Sequence, residues 1–353
     1  MARRAYPYIV IEGEDVTRLI GPYLSEFSYS DSIEGQADVC ELTLQDADGI
    51  WRSDYFPTRG TSANITLVKE DWNEAGTMET CPLGTFEVDE ITCSYPPTIA
   101  KIKFNSISNG AAIRGVDEFR SWEKTTLRQI ASDIANGAGL GLFFDAEDFQ
   151  LERIEQSQES SLALLKKLCA REGLILKVTD NTIVIVDEER YEQRDSVATI
   201  TYGSDAIINF GGQATINEIY GDTNVYFKSS GVADFLLGVF DMFAGSSNVG
   251  VRGITNGLRR NAGGAVMRIT ERVSSQAEAN RLAKKKLREK NKHEIECVWT
   301  LLGDFKYLAG NIITASGFGA FDGKYIIDQS NHKMDGQSGY VTGLRCHRCL
   351  TGY

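Results

Sequence analysis

Two kinds of residue cluster in this 353-residue chain have types and spacings that could do chemistry. One is the run Cys346-His347-Arg348-Cys349, whose thiolate and imidazole groups could bind zinc. A zinc site would need further ligands, and only His293 and His332 remain among the histidines. If the run is a strand, its alternation places Cys346 and Cys349 on opposite faces of the sheet. We therefore predict no metal site and no other cofactor.

Paired carboxylates are the second kind of cluster. Glu152 with Glu155, and Asp145 with Asp148, could serve as the two acids of a glycosidase, which lie ~5–10 Å apart. Acids at such spacings are also common on protein surfaces. The chain has no phosphate-binding glycine-lysine loop, no His-Glu-x-x-His motif and no Gly-x-Ser-x-Gly elbow. We predict a protein that is not an enzyme and has no catalytic residues, with a cell-wall glycan hydrolase as an alternative.

Charge and hydropathy narrow the function classes. The chain has 49 acidic and 37 basic side chains, and its formal net charge of −12 opposes broad contact with a phosphate backbone. Residues 1–11 lack the apolar region of a secretory signal. Residues 232–243 form the most apolar stretch, but they contain two aspartates and are too short to cross a bilayer core of ~30 Å. We expect no specific nucleic-acid binding and no stable membrane insertion.

The first part of the chain has the pattern of short strands separated by turns. Cys40, Leu42 and Leu44 alternate with polar residues, as in a half-buried strand. The apolar phase changes within residues 86–95, as happens where a β-bulge inserts an extra residue. These features predict a first β-barrel domain over residues 1–112.

Helical spacing appears next and predicts a small α/β module over residues 113–190. Thr126 begins a capping box, and an apolar stripe at helical spacing runs from there to Gly137. Ser160 or Ser161 begins a second helix, with Gly173 placed as its left-handed C-terminal cap. A hairpin follows, with Asp180-Asn181 as its two-residue turn.

Strand patterns return in residues 191–353 and predict a second β-barrel domain with an insertion at about 229–264. A helix over residues 276–290 precedes a strand that begins at His293 and has Ile295, Cys297, Trp299 and Leu301 on one side. The basic cluster at 284–292 lies in the last turns of this helix, and we interpret it as a solvated helix end. The predicted fold class is mainly β with α+β, in which two β-barrel domains flank a small α/β module.

The insertion contains an unusual apolar segment. As a helix, it would be apolar over most of its circumference, which is too apolar to stand alone in water. Either its own domain buries it or it docks on another subunit. The candidate docking residues are Phe235, Leu236, Val239, Phe240, Met242 and Phe243.

The C-terminal third carries a succession of short motifs. They are Ser275-x-x-Glu278-Ala279-x-x-Leu282-Ala283, Leu302-Gly303-Asp304, Leu308-Ala309-Gly310-Asn311, Gly317-Phe318-Gly319-x-Phe321-Asp322-Gly323-Lys324-Tyr325, His332-Lys333 and Gly339-Tyr340-Val341-Thr342. In order and spacing, this succession resembles the late control protein D family of contractile-tail baseplate hub proteins, which are related to the hub part of type VI secretion valine-glycine repeat proteins. Residues 158–174 resemble the α/β segment of that family.

The resemblance implies two tandem tail-tube-like barrels per chain, and a homotrimeric ring that adapts a trimeric spike to a sixfold tail tube. It implies as partners the spike protein, the tail tube or its initiator, baseplate wedge proteins and the tape-measure protein, in a virion baseplate assembled in the host cytoplasm. The hub of a cellular contractile secretion machine is a further alternative. We expect architectural roles for the motif residues Gly303, Gly310, Gly317, Gly319, Gly323, Tyr325, His332, Gly339 and Tyr340.

Overall fold

The chain folds into a mainly β structure. The computed structural model describes residues 3–33, 37–53, 55–56, 58, 60–106, 113, 117–179, 181–215, 219–227, 247–252, 265–269 and 276–350. Strands account for 54% and helices for 20% of the structure. A 13-stranded sheet runs through both β regions. The mainly β fold class is confirmed, whereas closed barrels and the domain limits remain predictions.

The first β region is an antiparallel sheet with one short helix. Its elements are β1 (Arg4–Ile11), β2 (Glu14–Asp15), α1 (Thr17–Ile20), β3 (Leu24–Ser32), β4 (Val39–Gln45), β5 (Ser62–Glu70), β6 (Met78–Ser94) and β7 (Ile99–Asn105). Cys40, Leu42 and Leu44 of β4 are fully buried, as their alternation predicts. The predicted bulge lies between Val88 and Glu90 of β6.

The α/β module packs two helices on a small sheet. Its elements are β8 (Asp117–Thr126), α2 (Leu127–Ala138), β9 (Gly141–Asp145), β10 (Gln150–Ser160), α3 (Ser161–Glu172), β11 (Leu174–Thr179), β12 (Thr182–Asp187) and α4 (Glu188–Glu192). The predicted hairpin β11–β12 is confirmed, and β9 adds a parallel third strand. Strands β8 and β10 form a separate two-stranded ribbon.

Both predicted helix starts in the module are confirmed. Thr126 and Ser160 are N-caps whose hydroxyls accept hydrogen bonds from backbone N–H groups of the first turn. Helix α3 ends at left-handed Gly173, as expected. Helix α2 continues past Gly137 to Ala138, because Gly139 adopts the left-handed conformation that ends it.

The second β region contains the remaining elements. They are β13 (Ala198–Thr201), β14 (Ile207–Ala214), β15 (Tyr220–Phe227), β16 (Ser247–Arg252), β17 (Ala265–Ile269), α5 (Gln276–Asn291), β18 (Ile295–Leu302), β19 (Ile312–Ser316), β20 (Gly323–Asp335) and β21 (Gly339–Arg348). Strand β18 starts two residues after the predicted His293, because Lys292–Glu294 form a 3-10 turn after α5. Its predicted inner face, from Ile295 to Leu301, is buried. The six candidate docking residues Phe235, Leu236, Val239, Phe240, Met242 and Phe243 lie outside the described residues.

The two β regions repeat one strand order. Neighbouring strands follow the order β1-β5-β6-β7-β4-β3 in the first region and β13-β19-β20-β21-β18-β14 in the second. The β-bulges recur at corresponding places in the two regions. One bulge follows Val88 in the pair β6–β7 and Ile327 in the pair β20–β21. Another follows Leu24 in the pair β3–β4 and Ile207 in the pair β14–β18. One pairing differs, because β13 is parallel to β19 whereas β1 is antiparallel to β5. The regions are therefore two versions of one unit.

The repeat is also present in the sequence once the strands are superposed by register. The matched segments are Gly84-Thr85-Phe86-Glu87-Val88-Asp89-Glu90 with Gly323-Lys324-Tyr325-Ile326-Ile327-Asp328-Gln329, and Cys40-Glu41-Leu42-Thr43-Leu44 with Cys297-Val298-Trp299-Thr300-Leu301. Asp89 accepts a hydrogen bond from Asn105 Nδ2 at 2.8 Å, and in the corresponding place Asp328 Oδ1 lies 2.6 Å from His347 Nδ1. Local contacts therefore follow the same plan in both units.

Buried apolar clusters hold each region together and join them. The first β region, the α/β module and the second β region each have a large core of their own. The first core also takes in Met334 and Tyr340 from the second region. A smaller cluster combines residues of all three regions, namely Ile33, Ile175, Val186, Ile312, Ile326 and Cys349. The three regions thus pack against one another.

Cys346 and Cys349 lie in different cores. Cys346 belongs to the core of the second β region, whereas Cys349 belongs to the cluster that joins the regions. The two thiols therefore face different apolar clusters, as the alternation predicts. No helix in the described part of the chain is long and apolar enough to span a membrane.

Candidate functional site

Three of the four carboxylates considered as catalytic pairs, Asp145, Asp148 and Glu155, make structural contacts. Asp148 accepts a hydrogen bond from the Arg128 backbone N–H at the start of α2, at 3.2 Å. Asp145 forms an ion pair with an arginine of α4 at 3.2 Å, and Glu155 is paired with Arg153. Within the described ranges, no group of three or more His, Cys, Asp or Glu side chains could hold a metal ion. The notable polar groups instead lie where the regions meet.

His332 is at the centre of a buried polar network between β20 and β21. Its Nε2 lies 3.1 Å from the carbonyl oxygen of Tyr307, and its Nδ1 lies 2.7 Å from the Tyr340 hydroxyl. Because a carbonyl only accepts, Nε2 must carry the proton and Nδ1 must accept from Tyr340. Burial lowers the pKa of His332 to about 4, so the ring is neutral at neutral pH. The predicted hydrogen bond across the sheet is present.

The motif around Gly303 joins the two β regions. A Cβ atom on Gly303 would lie 2.2 Å from the Tyr340 ring, so only glycine permits this approach. The next residue, Asp304, accepts a hydrogen bond at 3.2 Å from Lys69, which is fully buried on β5. Burial raises the pKa of Asp304, but the hydrogen bond from Lys306 and the charge of Lys69 outweigh it and lower the pKa overall. This motif therefore fixes the second region on the first.

Gly310 closes a turn that both units share. Its φ of +86° is left-handed, and its N–H donates to the Ile327 carbonyl at 2.8 Å. In the first unit, Gly60 has a φ of +82° and donates to Val88 at 2.9 Å. Positive φ also occurs at the remaining motif glycines, Gly317, Gly319, Gly323 and Gly339. Tyr325 is fully buried at the start of β20, and its hydroxyl donates to the Phe321 carbonyl at 2.7 Å.

Asp31 lies where all three regions meet. Its carboxylate, buried on β3, is paired with Lys177 on β11 of the module. It also accepts a hydrogen bond from the backbone N–H of Ala309 in the second β region, at 2.9 Å. Lys177 Nζ lies 2.9 Å from Asp38 as well. Burial raises the pKa of Asp38 to about 6, although the charge of Lys177 opposes the rise.

Helix α5 and the 3-10 turn that follows it are attached to the module by a row of ion pairs. The pairs are Lys284–Glu189 at 3.0 Å, Lys285–Asp187 at 3.0 Å, Arg288–Glu192 at 2.8 Å, Lys292–Glu188 at 3.4 Å and Arg281–Glu172 at 2.8 Å. The interpretation of this basic cluster as a solvated helix end was therefore wrong. The acidic partners lie on other elements, chiefly α4, and only the tertiary fold brings them to α5.

His347 lies beneath this row. It is 2% exposed, and its Nδ1 lies 2.6 Å from Asp328 Oδ1. Its Nε2 lies 3.8 Å from carboxylate oxygens of both Glu188 and Glu192, longer than a hydrogen bond. Burial alone lowers the pKa of His347, but the charges of Asp328 and the glutamates outweigh it and raise the pKa to about 10. The ring is therefore a buried cation.

A cleft of about 450 Å³ opens between α3, α5 and the sheet. Lys285, Arg288 and Lys292 line it, but each is paired with a carboxylate of the module. These three cations therefore serve the contact with the module.

Sequence reasoning identified His332 and the glycines but missed Asp31, Lys177, Glu192, Arg288 and His347 as joining residues. A single charged residue gives no sign that it will be buried beside a distant partner. One available signal was the internal repeat, since Asp89 and Asp328 occupy the same place in matching segments.

Solved structures define the class of protein that has this fold. The 43 kDa tail protein of prophage MuSo2 from Shewanella oneidensis superposes with a TM-score of 0.72 at 14% identity, covering 98% of both chains. The E. coli c3393 protein superposes with a TM-score of 0.55 at 11% identity, covering 98% of this chain and 78% of that one. It is described as a component of the type VI secretion system, structurally similar to the T4 tail proteins gp27 and gp5. The fold is that of phage tail and tail-like proteins.

A curated relative is more specific. The chain is 29% identical over 170 residues to the probable baseplate hub protein of Escherichia phage P2. The matched part is 47% of this chain and 41% of the relative, so it spans less than half of each. No family model matches the chain. The predicted resemblance to contractile-tail hub proteins is confirmed.

Proposed function

We propose that the chain is the structural, non-enzymatic baseplate hub of a contractile phage tail or tail-like particle, and that it works as a homotrimer. The observation that carries this proposal is the duplication. Each chain holds two units of the same strand order, joined through one sheet. Three chains would then supply six similar units, which suits an adaptor between a threefold spike and a sixfold tube.

The proposed partners follow from this position. The trimer would bind the spike on one side and the tail tube or its initiator on the other, with wedge proteins around it and the tape-measure protein at the tube end. Similarity to the hub protein of phage P2 and to tail proteins supports association with spike and tail components. The proposed place is the baseplate of the virion, reached by assembly in the host cytoplasm.

Mass photometry of the purified chain, alone and with its spike protein, tests the proposal. We expect the mass of three chains, and a complex of that trimer with the spike. A chain that stays monomeric in both samples would overturn the hub proposal. Release of soluble fragments from peptidoglycan by the pure chain would overturn its non-enzymatic part.

The hub of a cellular contractile secretion machine is a second candidate, favoured by the likeness to the type VI component. The tube protein that co-purifies with the trimer distinguishes the two. A phage tail-tube protein would support the virion, and a secretion-tube protein would support the alternative.

A further inference from the structure

Two buried cysteines lie opposite each other on neighbouring strands of the second β region. Cys297 of β18 is directly opposite Cys346 of β21 in the antiparallel register. Both side chains are almost fully buried, and both belong to the core of that region, so they lie on the same face of the sheet. Both are free thiols in this structure. The proposed hub function makes no use of this pair.

The geometry of the two strands suits a disulfide bond. Directly opposed residues of an antiparallel pair have Cα atoms ~4.5–5.5 Å apart. A disulfide spans Cα atoms ~4.4–6.8 Å apart, provided that the two Cβ atoms do not point away from each other. Cys297 and Cys346 meet both conditions, because they are directly opposed and share one face. A bond between them needs little movement of the backbone.

The first unit lacks this arrangement. Cys40 of β4 corresponds to Cys297, but the residue directly opposite Cys40 on β7 is Phe104, which therefore corresponds to Cys346. On the other side of β4, Tyr29 of β3 is opposite Cys40. Cys40 is fully buried as well, so the two units differ in the opposed residue and not in burial. Among the strand pairs that the structure describes, one register places two cysteines opposite each other.

The surroundings of the two thiols decide which one reacts first. Burial raises the pKa of both thiols. For Cys297, the Tyr325 hydroxyl and the charge of Arg348 oppose this rise. For Cys346, the charge of Asp328 adds to it. Because the thiolate is the form that attacks a disulfide, Cys297 is the attacking group.

We propose that Cys297 and Cys346 form a disulfide bond when the chain meets an oxidising medium, and that this bond fixes β18 to β21. The oxidant is a low-molecular-weight disulfide such as oxidised glutathione. The Cys297 thiolate attacks one of its sulfurs and displaces one glutathione thiolate. The Cys346 thiolate then attacks the Cys297 sulfur of this mixed disulfide and displaces the second glutathione. Two protein thiols are oxidised, and their two protons end on the two reduced glutathione molecules.

A change of compartment gives the bond a role. The cytosol keeps thiols reduced, whereas disulfides persist outside the cell and on virion surfaces. A chain that folds inside a cell would keep both thiols during assembly and gain the bond after release. The bond closes a loop over residues 297–346, which contains Asp304 and Tyr340 from the contacts that fix the second region on the first. It restricts the unfolded chain over this whole loop and so stabilises the junction of the two units.

Peptide mapping by mass spectrometry under non-reducing conditions tests the pairing. The chain is kept in a glutathione redox buffer, in one sample folded and in another during refolding from denaturant. The second sample ensures that slow access to a buried thiol does not decide the result. The test variant carries Cys81→Ser and Cys93→Ser, which removes the two cysteines that are not buried. We expect one linked peptide that joins residues 297 and 346.

Thermal unfolding measures the effect of the bond on stability. We expect the oxidised chain to unfold roughly 5–10 °C higher than the same chain kept reduced. Cys346→Ala should abolish this difference. Cys40→Ala is the matched control and should keep it, because Cys40 is equally buried but lies opposite Phe104. Each variant is compared with itself in the two redox states, so a general loss of stability does not affect the comparison.

Three results would overturn the proposal. One is the absence of the link between residues 297 and 346 from both the folded and the refolded sample. Another is a link from Cys297 to Cys349, or glutathione adducts alone. The third is a linked chain that unfolds at the same temperature as the reduced chain. The mapping uses no partner protein, so its result is independent of the hub proposal.

Discussion

His332 and His347 are both almost fully buried, yet the structure stabilises opposite protonation states in them. His332 faces a hydroxyl and a carbonyl, and burial keeps it neutral. His347 faces Asp328 and lies near two glutamates, and their charges outweigh its burial. The same residue type thus has a pKa of about 4 at one site and about 10 at the other.

These two pKa values predict how stability depends on pH. An unfolded histidine titrates near 6.5, so the contribution of neutral His332 is complete above that pH. It is lost as the pH falls from 6.5 toward 4, by about 3 kcal/mol in total. The contribution of His347 has the opposite sign: it is complete below 6.5 and is lost as the pH rises toward 10.

Chemical denaturation between pH 4.5 and about 9.5 measures the free energy of unfolding and checks these two opposite pH dependences. The variants His332→Gln and His347→Gln form a matched pair for this measurement. We expect His332→Gln to flatten the acid side of the curve of unfolding free energy against pH. His347→Gln should flatten the alkaline side instead. Identical changes of slope in the two variants would contradict the assigned states.

At the scale of elements, α5 shows how charges can dock a helix. Arg288 is 5% exposed and pairs with Glu192, which is 4% exposed. Burial raises the pKa of Glu192, but the nearby His347 and Arg288 outweigh it and lower the pKa. Removing one member of a buried pair leaves an uncompensated charge and costs about 3–5 kcal/mol.

We expect Arg288→Met to loosen α5, which hydrogen exchange over residues 276–291 measures. Lys286→Met is the control, because Lys286 pairs with Glu289 of the same helix at 3.1 Å and not with the module. Exchange in α5 should accelerate at least tenfold in Arg288→Met and little in the control. Adding Glu192→Gln to Arg288→Met should restore part of the protection. Equal protection in both single variants would mean that the row of ion pairs does not hold the helix.

At the scale of the whole molecule, Asp31 connects the three regions through Lys177 and the Ala309 N–H. Asp31→Asn leaves Lys177 with Asp38 as its one carboxylate partner among the described residues. Because the lost charge is buried, we expect a cost of about 3–5 kcal/mol. Calorimetry should then show the α/β module unfolding at a lower temperature than the β regions.

Glu41→Gln is the matched control for Asp31→Asn. Glu41 pairs with Lys101 on the exposed face of the same sheet, at 3.1 Å. Exposed pairs contribute about 0–1 kcal/mol, so its unfolding profile should resemble that of the unmodified chain. A single unshifted transition for Asp31→Asn would show that the Asp31 carboxylate does not hold the regions together.

Local sequence patterns predicted much of the fold because helix caps and strand alternation depend on residues that are close together in the sequence. Thr126 and Ser160 cap their helices, Gly173 ends one, and the inner face of β18 follows its alternation. The prediction that the end of α5 is solvated was wrong. The acidic residues that pair with α5 lie near residue 190 and approach the helix only in the folded chain.

The sequence by itself determined the mainly β class, the order of the helical module between two β regions, and the likeness to hub proteins. These depend on spacing, caps and motifs that each segment carries. The tertiary structure alone decided which buried charges meet, and which protonation states His332 and His347 take. These depend on distances between remote segments, because burial and Coulomb energy are set by neighbours in space.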